Sequence, residues 1–348
     1  MSELADPAGG RSTGRRVVTL TANPSMDRTL ALPGALDRGA VARLGPSSTE
    51  PGGKGVNVAR ALAAAGGQVV TVLPAALDDP IVAALRRLGL PMATVDVPVP
   101  VRTNYSLTEP DGTTTKLNEP GAPLDAATRS ALTDALLRAA DGAAWVVLAG
   151  SLPPGTPADW YAELVVALRP TGARIAVDTS EAPLIALLSA GPAAAPDLLK
   201  PNAEELAQAA GTSESALTAD PAALLAAVDG LHAGGVGEVL LTLGADGALL
   251  STAAGGRFTA RPPRIAVRST VGAGDCSLAG HLLADLAGAP PVERLRRAVA
   301  SGAAAAGLPG SAVPTPAEVD RVAASVETAP LSGRQFSSPV APAGSDVP

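Results

Sequence analysis

The sequence predicts a doubly wound α/β fold, in which helices cover both faces of a mostly parallel β-sheet, with a small β-sheet lid beside it. Short β-branched runs alternate with Ala- and Leu-rich stretches along most of the chain, and strands separated by helices pair in parallel through right-handed crossovers. The 348 residues are 47% hydrophobic, which is enough for one large core. Two stretches without helical periodicity interrupt the alternation and predict the lid.

The elements of the main sheet follow one another in a regular order. Each predicted strand is a short apolar run, and each predicted helix is a longer Ala- and Leu-rich run. The predicted strands are 17–21, 69–73, 145–149, 174–178, 198–200 and 238–243. The predicted helices are 55–65, 80–88, 157–168, 182–189, 203–210, 274–287 and 293–306.

Ligands of such folds bind at the carboxyl ends of the strands. We therefore expect the loops that follow the predicted strands to form the site. These loops carry Asn23, Gly150, Asp178, Lys200, Gly244 and Gly272.

The lid is predicted from residues 28–50 and 92–119. Turn signals such as Pro33-Gly34 and Asp111-Gly112 divide these stretches into extended segments, which suit a small antiparallel sheet. Over the cleft, such a sheet would exclude water from a transfer reaction. The alternative is an additional β-layer with a structural or dimer-forming role, and the two roles are compatible.

Composition excludes several classes of function. A net charge of −7 and 2% aromatic residues disfavour nucleic-acid binding, which needs a basic face or stacking platforms. One cysteine, Cys276, and two histidines exclude a disulfide framework and leave too few ligands for a structural zinc site. We expect a cytoplasmic protein without a membrane partner. The terminal residues 1–15 and 329–348 are rich in Gly, Pro, Ser and Asp and are predicted to be disordered tails.

The strongest local signal is the run Thr-Val-Gly-Ala-Gly-Asp at residues 270–275, which opens an apolar helix. Small residues ahead of a helix leave backbone N–H groups free for an anion, and the helix dipole favours negative charge there. Gly272, Ala273 and Gly274 are therefore predicted to form an anion hole. Asp275, in the first turn, is placed to accept a proton from an attacking hydroxyl. A capping role is the alternative for this aspartate.

A second glycine cluster, Gly-Gly-Lys-Gly at residues 52–55, also leads into a helix. Lys54 offers a charge there, and Asn57 offers a donor and an acceptor for sugar hydroxyls; a flexible turn is the alternative. The chain has only three lysines, Lys54, Lys116 and Lys200, each in a motif-like setting. Because arginine fills the other basic positions, this usage favours anionic substrates.

Two further turns follow predicted strands. Asn202 and Glu205 have the spacing of a capping box, and the same oxygens suit a hydrated Mg²⁺; we expect both interpretations to be partly true. The turn at residues 242–247 lies at a strand's carboxyl end and is a candidate nucleotide contact.

These motifs resemble the ribokinase/PfkB family of sugar kinases, and the match runs from about Val17 to Val322. Further segments that carry it are 23–27, 52–60, 102–104, 116–121, 150–155, 200–205 and 272–275. The N-P-S-x-D, S-L-P-x-G and N-E-P-G segments are similar to the 1-phosphofructokinase and tagatose-6-phosphate kinase branch. The resemblance implies a ribokinase-like domain over residues 16–328, ATP as co-substrate, Mg²⁺ as cofactor, and a homodimer formed through the lid.

The resemblance also implies roles for individual residues. Asp275 would be the catalytic base beside the anion hole. Substrate contacts would come from Asp27, Gly53, Lys54, Asn57, Arg102, Asn104, Lys116 and Ser151, with Lys54, Arg102 and Lys116 on the substrate phosphate. The nucleotide site would include Lys200, Thr242, Gly244 and Thr270. Asn202 and Glu205 would bind Mg²⁺, through water.

The implied reaction is phosphorylation of a phosphorylated ketohexose, foremost fructose 1-phosphate to fructose 1,6-bisphosphate. Tagatose 6-phosphate and fructose 6-phosphate are alternatives, because spacing does not show at which end of the sugar the phosphate lies. An unphosphorylated sugar or nucleoside is a further alternative. A non-catalytic sugar-phosphate sensor is disfavoured, because a binding module has no need of a base.

Overall fold

The computed structural model describes residues 15–331, which form fourteen strands and eleven α-helices in two sheets with covering helices. The strands are β1 (Val17–Thr21), β2 (Ser25–Ala31), β3 (Ser47–Gly52), β4 (Val69–Pro74), β5 (Met92–Val95), β6 (Arg102–Thr108), β7 (Thr114–Asn118), β8 (Trp145–Ala149), β9 (Arg174–Asp178), β10 (Leu198–Leu199), β11 (Glu238–Thr242), β12 (Ala248–Thr252), β13 (Arg257–Arg261) and β14 (Glu327–Pro330). The helices are α1 (Lys54–Ala64), α2 (Pro80–Arg87), α3 (Ala126–Ala140), α4 (Trp160–Leu168), α5 (Glu181–Ser189), α6 (Ala203–Ala209), α7 (Glu214–Ala219), α8 (Pro221–Ala233), α9 (Ala273–Leu286), α10 (Pro291–Ala306) and α11 (Pro316–Ala323).

The large sheet has ten strands in the order β14-β13-β12-β11-β10-β9-β8-β1-β4-β5. The strands from β5 to β11 in this order are parallel, and β12, β13 and β14 extend the sheet as an antiparallel edge. Helices supply the crossovers between the parallel strands, as right-handed βαβ units require. The predicted fold class is confirmed.

Both faces of the large sheet are buried, and strand β8 shows why. Its five residues are all buried. Val146 and Leu148 belong to one hydrophobic core, whereas Trp145, Val147 and Ala149 belong to the other. Because successive side chains point to opposite faces of a strand, a strand covered on both sides is apolar throughout. The continuous apolar runs in the sequence reflect this double cover.

The small sheet has the strand order β3-β2-β6-β7. It confirms a separate lid-like layer but differs from the prediction in two respects. β2 and β6 pair in parallel, so the sheet is mixed and not antiparallel throughout. β5, at the start of the predicted lid segment 92–119, pairs with β4 in the large sheet, because α2 returns the chain there as a crossover. The extended segments themselves begin at Ser25 and at Arg102.

The predicted tails lie largely outside the described residues. The exception is the start of the C-terminal one, because β14 continues to Pro330, two residues past the predicted boundary at 328, by pairing with β13. The disorder of the remaining tail residues stays a prediction. None of the helices within residues 15–331 is long and apolar enough to cross a membrane.

Candidate active site

The carboxyl ends of the central strands meet the first turns of two helices. β9 ends in Asp178, α1 begins at Lys54, and Asp275 lies in the first turn of α9. Lys54 Nζ lies 2.8 Å from Asp178 Oδ1, and Asn57 Nδ2 donates to Asp275 Oδ2 over 2.9 Å. Asn57 and Asp275 are 218 positions apart in the chain. Distant residues therefore converge where ligands of this fold bind.

A fully buried carboxylate, Asp178, lies between two ammonium groups. Its Oδ1 accepts from Lys54 Nζ at 2.8 Å, and its Oδ2 lies 2.9 Å from Lys200 Nζ. Burial alone would raise the pKa of this carboxyl, but the charges of Lys200 and Lys54 outweigh burial and hold the pKa of Asp178 below its usual range. Asp178 is therefore an ionised link that holds two cations at the floor of the cleft.

Asp275 has the opposite electrostatic setting. Burial, with the negative charge of Asp178 as the second cause, raises the pKa of Asp275 to about 6. Lys54, Lys200 and the hydrogen bond from Asn57 limit this rise. A pKa close to the working pH is what a general base requires, because the group then accepts a proton and still exists largely as carboxylate.

The first turn of α9 has the features of an anion site. Gly272 precedes the helix at a φ of 76°, a left-handed conformation that favours glycine, and no side chain caps the helix there. Within residues 15–331, the backbone N–H groups of Gly274 and Asp275 have no hydrogen-bond acceptor. A Cβ added to Gly274 would lie 3.4 Å from Lys200 Nζ, so an ammonium group stands beside these free amides.

The lid brings a polar pair to the cleft. Asp27 on β2 lies opposite Asn104 on β6, and Asp27 Oδ1 accepts from Asn104 Nδ2 at 2.9 Å and from Ser25 Oγ at 2.7 Å. Gly52 permits this arrangement, because a Cβ there would come within 2.1 Å of Asp27 Oδ2. Asn104 Oδ1 is buried and has no partner among the described residues, so it is an acceptor available to a ligand hydroxyl.

The lid also carries two cations. Arg102 donates from Nη1 to the carbonyl of Glu119 at 2.8 Å, while its Nε is buried without a partner in the described part of the chain. Burial lowers the pKa of Arg102, and Asp27 and Glu119 act against that effect. Lys116 lies exposed on β7 opposite Ser106. By the alternation along β6 it shares a face with Arg102 and Asn104.

Two predicted substrate contacts lie near the first strand. Asn23 Nδ2 donates to Ser151 Oγ at 3.3 Å and to the carbonyl of Pro120 at 3.1 Å, so Ser151 borders the cleft. Gly53 precedes α1 at a φ of 100°, and a Cβ there would lie 2.7 Å from Thr21 Cγ2. Only glycine brings the backbone this close to the strand end.

Asn202 and Glu205 form the predicted capping box. Asn202 Oδ1 accepts from the Glu205 amide at 2.8 Å, and Glu205 Oε2 accepts from the Asn202 amide at 2.9 Å. Glu205 Oε1 remains, at 3.6 Å from Lys54 Nζ. The described residues hold no cluster of three or more His, Cys, Asp or Glu side chains that could bind a metal directly. The one remaining carboxylate oxygen fits a hydrated Mg²⁺, which keeps most of its waters.

The predicted nucleotide contacts border the same edge of the sheet. The Thr242 amide donates to the carbonyl of Pro201 at 3.0 Å, which places Thr242 beside Asn202. Gly244 begins a short 3₁₀ turn, and Thr270 lies exposed just before α9. Contact of these residues, and of Lys200, with a nucleotide stays a prediction.

Two features of the site were missed by sequence reasoning. The sequence predicts the loop that holds Asp178 but no role for this residue, although a carboxylate at the end of a buried strand is itself a signal. A cluster of Glu50, Arg60 and Ser311 joins the lid, α1 and the segment after α10: Arg60 Nη2 lies 3.1 Å from Glu50 Oε2, which also accepts from Ser311 Oγ at 2.5 Å. No local pattern marks the whole cluster, because Ser311 lies 251 residues from Arg60.

The chain is similar to known proteins over most of its length. Residues 23–318 match the profile described as pfkB family carbohydrate kinase. A 1-phosphofructokinase of Rhodobacter capsulatus is 39% identical over 321 residues, which cover 90% of this chain and 96% of that protein. A 1-phosphofructokinase of Xanthomonas campestris pv. campestris is 39% identical over 285 residues, or 81% of this chain and 88% of that protein.

A second group of relatives has a different enzyme name. ATP-dependent 6-phosphofructokinase isozyme 2 of Escherichia coli is 34% identical over 83% of this chain and 92% of its own length. The crystal structure of phosphofructokinase-2 from Escherichia coli with substrates and products superposes with a TM-score of 0.81 at 31% identity, covering 89% of this chain and 98% of that one. By fold and by sequence over most of its length, the chain belongs to the pfkB family of carbohydrate kinases.

Proposed function

We propose that this carbohydrate kinase transfers the γ-phosphoryl group of ATP to the 6-hydroxyl of fructose 1-phosphate, which yields fructose 1,6-bisphosphate. The observation that carries the proposal is the buried Asp275 carboxylate beside the free amides of α9 and the Lys200 ammonium. A proton acceptor next to an anion site is what phosphoryl transfer to an alcohol needs. The choice of sugar is supported by the relatives named 1-phosphofructokinase at 39% identity.

In this proposal Asp275 acts as the general base. Asn57 donates a hydrogen bond to Oδ2 of the Asp275 carboxylate. Oδ1 of Asp275 is then left to accept the proton of the sugar hydroxyl. As the hydroxyl oxygen attacks the phosphorus in line, the amides of Gly274 and Asp275 and the ammonium of Lys200 face the charge that develops on the phosphoryl oxygens. Asp178 keeps both lysines in place by its two contacts.

Mg²⁺ belongs to the proposal as a cofactor bound through water. Glu205 Oε1 would hold the hydrated ion beside Lys54, and Asn202 orients that carboxylate by the capping box. When bound, the ion neutralises charge on the phosphates.

The lid would bind and orient the sugar phosphate. Asn104 Oδ1 and Arg102 Nε are buried without partners in the described residues, and a buried polar atom without a partner costs free energy until a ligand satisfies it. One is an acceptor for a sugar hydroxyl and the other a charged donor for a phosphate. We assign Arg102 and Lys116 to the 1-phosphate, and Asp27 with Asn104 to the hydroxyls.

Fructose 6-phosphate is the second candidate substrate. It is favoured by the relatives named 6-phosphofructokinase and by the similarity to the Escherichia coli structure. Its phosphate lies at the opposite end of the sugar, so the lid cations would then face the 6-phosphate and Asp275 would face the 1-hydroxyl.

The first test measures ADP release with ATP and Mg²⁺ against fructose 1-phosphate, fructose 6-phosphate, tagatose 6-phosphate, fructose, ribose and adenosine. We expect the highest kcat/KM with fructose 1-phosphate. The Arg102→Ala variant should lose about 10- to 100-fold in kcat/KM for that substrate, since a hydrogen bond to a charged group contributes about 1.5–3 kcal/mol. Turnover with fructose alone should be unaffected by the variant, because no phosphate is then present.

Arg138→Ala is the matched control, because Arg138 is exposed in the last turn of α3, a helix that carries none of the site residues. A preference for fructose 6-phosphate would reverse the orientation of the sugar. Turnover only with an unphosphorylated acceptor would remove the phosphate role of Arg102 and Lys116. Silence across the whole panel would favour a sugar-phosphate sensor.

We also propose a homodimer formed through the outer face of the lid. The outer face carries the residues that alternate with those facing the cleft, namely Tyr105, Leu107 and Leu117. Leu117 is 53% exposed. This face therefore has apolar surface that a partner subunit would bury. A tetrameric inhibited form is known for the Escherichia coli phosphofructokinase-2.

Sedimentation velocity tests the dimer. The wild type should sediment as a dimer, and Leu117→Glu should shift it toward the monomer, because a carboxylate at an apolar contact is costly to bury. Leu88→Glu is the control, since Leu88 is equally exposed, at 52%, but lies after α2 in the main domain. A monomeric wild type would contradict the proposal.

A further inference from the structure

Arg60 connects the lid, helix α1 and the segment after α10. Its side chain is only 10% exposed. Nη2 pairs with Glu50 Oε2 of strand β3 at 3.1 Å. Nη1 donates to Ser311 Oγ at 3.3 Å and to Asn57 Oδ1 at 3.4 Å. One guanidinium therefore links the lid to the residue that hydrogen-bonds Asp275.

The contact with Asn57 has a chemical consequence. An asparagine amide carries an acceptor oxygen on one side and a donor nitrogen on the other, whereas a guanidinium only donates. With Arg60 beside it, the Asn57 oxygen faces Arg60, and Nδ2 faces Asp275 Oδ2 at 2.9 Å. Because Arg60 lies three residues after Asn57 on the same helix, the two side chains are neighbours on one helix face.

The guanidinium is itself held in one orientation. Glu50 Oε2 accepts from both Arg60 and Ser311, and the carbonyl of Pro51 accepts from Nη1 at 3.2 Å. A planar fork with several fixed acceptors loses its freedom to rotate. Ser311 also lies against the anion site, because its Cβ is 3.9 Å from the position that a Cβ on Gly272 would take.

We propose that Arg60 is a positioning residue, which orients the Asn57 amide so that this amide donates to Asp275 and keeps it in the carboxylate form. Without Arg60 the amide is free to turn its oxygen toward Asp275. An acceptor oxygen opposite a carboxylate is repulsive, whereas it accepts a hydrogen bond from the protonated acid. Loss of Arg60 therefore favours protonated Asp275, which cannot act as a base.

The other charged groups around Asp275 stay unchanged in this comparison. Asp178 at the end of β9 raises its pKa, and Lys54 on α1 and Lys200 after β10 lower it. Cys276, the next residue in α9, is buried, and burial raises the pKa of its thiol to about 12, so it stays neutral in the tested range. Because Arg60→Met also removes a positive charge near Asp275, the titration is repeated in an Asn57→Ala background. A shift that persists there comes from the lost charge and not from the orientation of Asn57.

The proposal rests on the assignment of Asp275 as the base in the proposed function, and its test separates the two. The variant Arg60→Met keeps the aliphatic length and removes the donors. With the best substrate of the panel, the acidic midpoint of the kcat/KM profile should rise by about one pH unit, which is a tenfold change in the acid constant. Turnover should fall at pH 6 and recover toward pH 8, with KM for ATP unchanged.

A second readout needs no turnover. In protein labelled with ¹³Cγ-aspartate, the Asp275 signal is assigned by its loss in Asp275→Asn, and its titration should show the same upward shift in Arg60→Met. Arg60→Lys should restore part of the wild-type midpoint, because an ammonium also only donates. Arg87→Met, an exposed arginine at the end of α2, should leave the midpoint unchanged.

Lower activity at every pH with an unchanged midpoint in both readouts would overturn the proposal and leave Arg60 a structural role. If Arg60→Met does not fold, Glu50→Ala supplies the test, because it removes the acceptor that holds the guanidinium. Loss of the Glu50 charge alone would lower the pKa of Asp275, so an upward shift of the midpoint reports on orientation. If the wild type is inactive but the ¹³C titration of Asp275 still shifts upward in Arg60→Met, the proposed function is rejected and the positioning role of Arg60 is supported.

Discussion

Replacing Asp275 by asparagine is expected to lower turnover by at least about 100-fold, because general acid–base catalysis contributes about 10²–10⁴-fold. The amide keeps the shape of the side chain but cannot accept the proton of the attacking hydroxyl. ATP binding should persist, since the amides of α9 and Lys200 are unchanged. The measurements are kcat by ADP release and the Kd for ATP by calorimetry.

The wild-type pH profile provides the companion observation. Burial and Asp178 raise the pKa of Asp275 to about 6. The proposed base acts only when ionised, so kcat/KM should fall as pH decreases through about 6. Asp134→Asn is the matched control, because Asp134 is exposed on α3. An Asp275→Asn enzyme within a few-fold of the wild type would remove Asp275 from the role of base.

The parallel part of the fold is predictable from the sequence, because a strand that is buried on both faces is a continuous apolar run. Strands β8 and β9 were predicted with their observed bounds, 145–149 and 174–178. Such strands are apolar on both faces and lie between Ala- and Leu-rich helices. The helix starts at Lys54 and Ala273 were predicted to within one residue, because glycine clusters precede both.

The edges of the sheet were not predictable in the same way. β5 has only four residues, all half-buried, and its pairing with β4 depends on where α2 returns the chain. The hairpin strands β12 and β13 and the short β14 were not predicted, because their stability comes from antiparallel pairing across distant segments. The predicted helices do not include α3, α7, α8 or α11, although Asp220 before Pro221 is a regular helix-start signal for α8.

The same distinction applies to the site, where local motifs are predictable and contacts between separate elements are not. Residues predicted from glycine clusters, such as Asn57, Lys54 and Asp275, are brought together by hydrogen bonds and ion pairs, and their catalytic roles stay predictions. The link from Glu50 through Arg60 to Asn57 spans the lid and the main domain. The spacing of three residues places Asn57 and Arg60 on one face of α1, but the contact of Arg60 with Glu50 depends on how β3 packs against α1, which spacing does not show.

Replacing Asp178 by alanine is expected to lower the free energy of unfolding by about 3–5 kcal/mol, the cost of removing one partner from a buried ion pair. Asp178 is fully buried between Lys54 and Lys200, and the side chain of Lys200 is only 5% exposed. Without the carboxylate, the ammonium group of Lys200 loses its counter-ion at a position where little water is available to replace it. Lys54 is 34% exposed, so water compensates part of its loss, and most of the cost falls on Lys200.

The dependence on pH follows from the sign of the shift. The two lysines hold the pKa of Asp178 below its usual value, so its stabilising effect is complete above about pH 3.9, the value for an unfolded aspartate. It is lost as pH falls through the lower folded-state pKa. The free energies of unfolding of the wild type and Asp178→Ala, measured in urea, should therefore show the whole difference at pH 7.5. They should converge under strongly acidic conditions.

Asp229→Ala is the matched control for this comparison. Asp229 pairs with Arg257, but its side chain is 54% exposed, and exposed ion pairs contribute about 0–1 kcal/mol. A double variant, Asp178→Ala with Lys200→Met, removes the unpaired charge and should recover part of the stability, because an apolar side chain tolerates burial. If the double variant were as unstable as Asp178→Ala, the loss would come from packing at the end of β9 and not from an unpaired ammonium group.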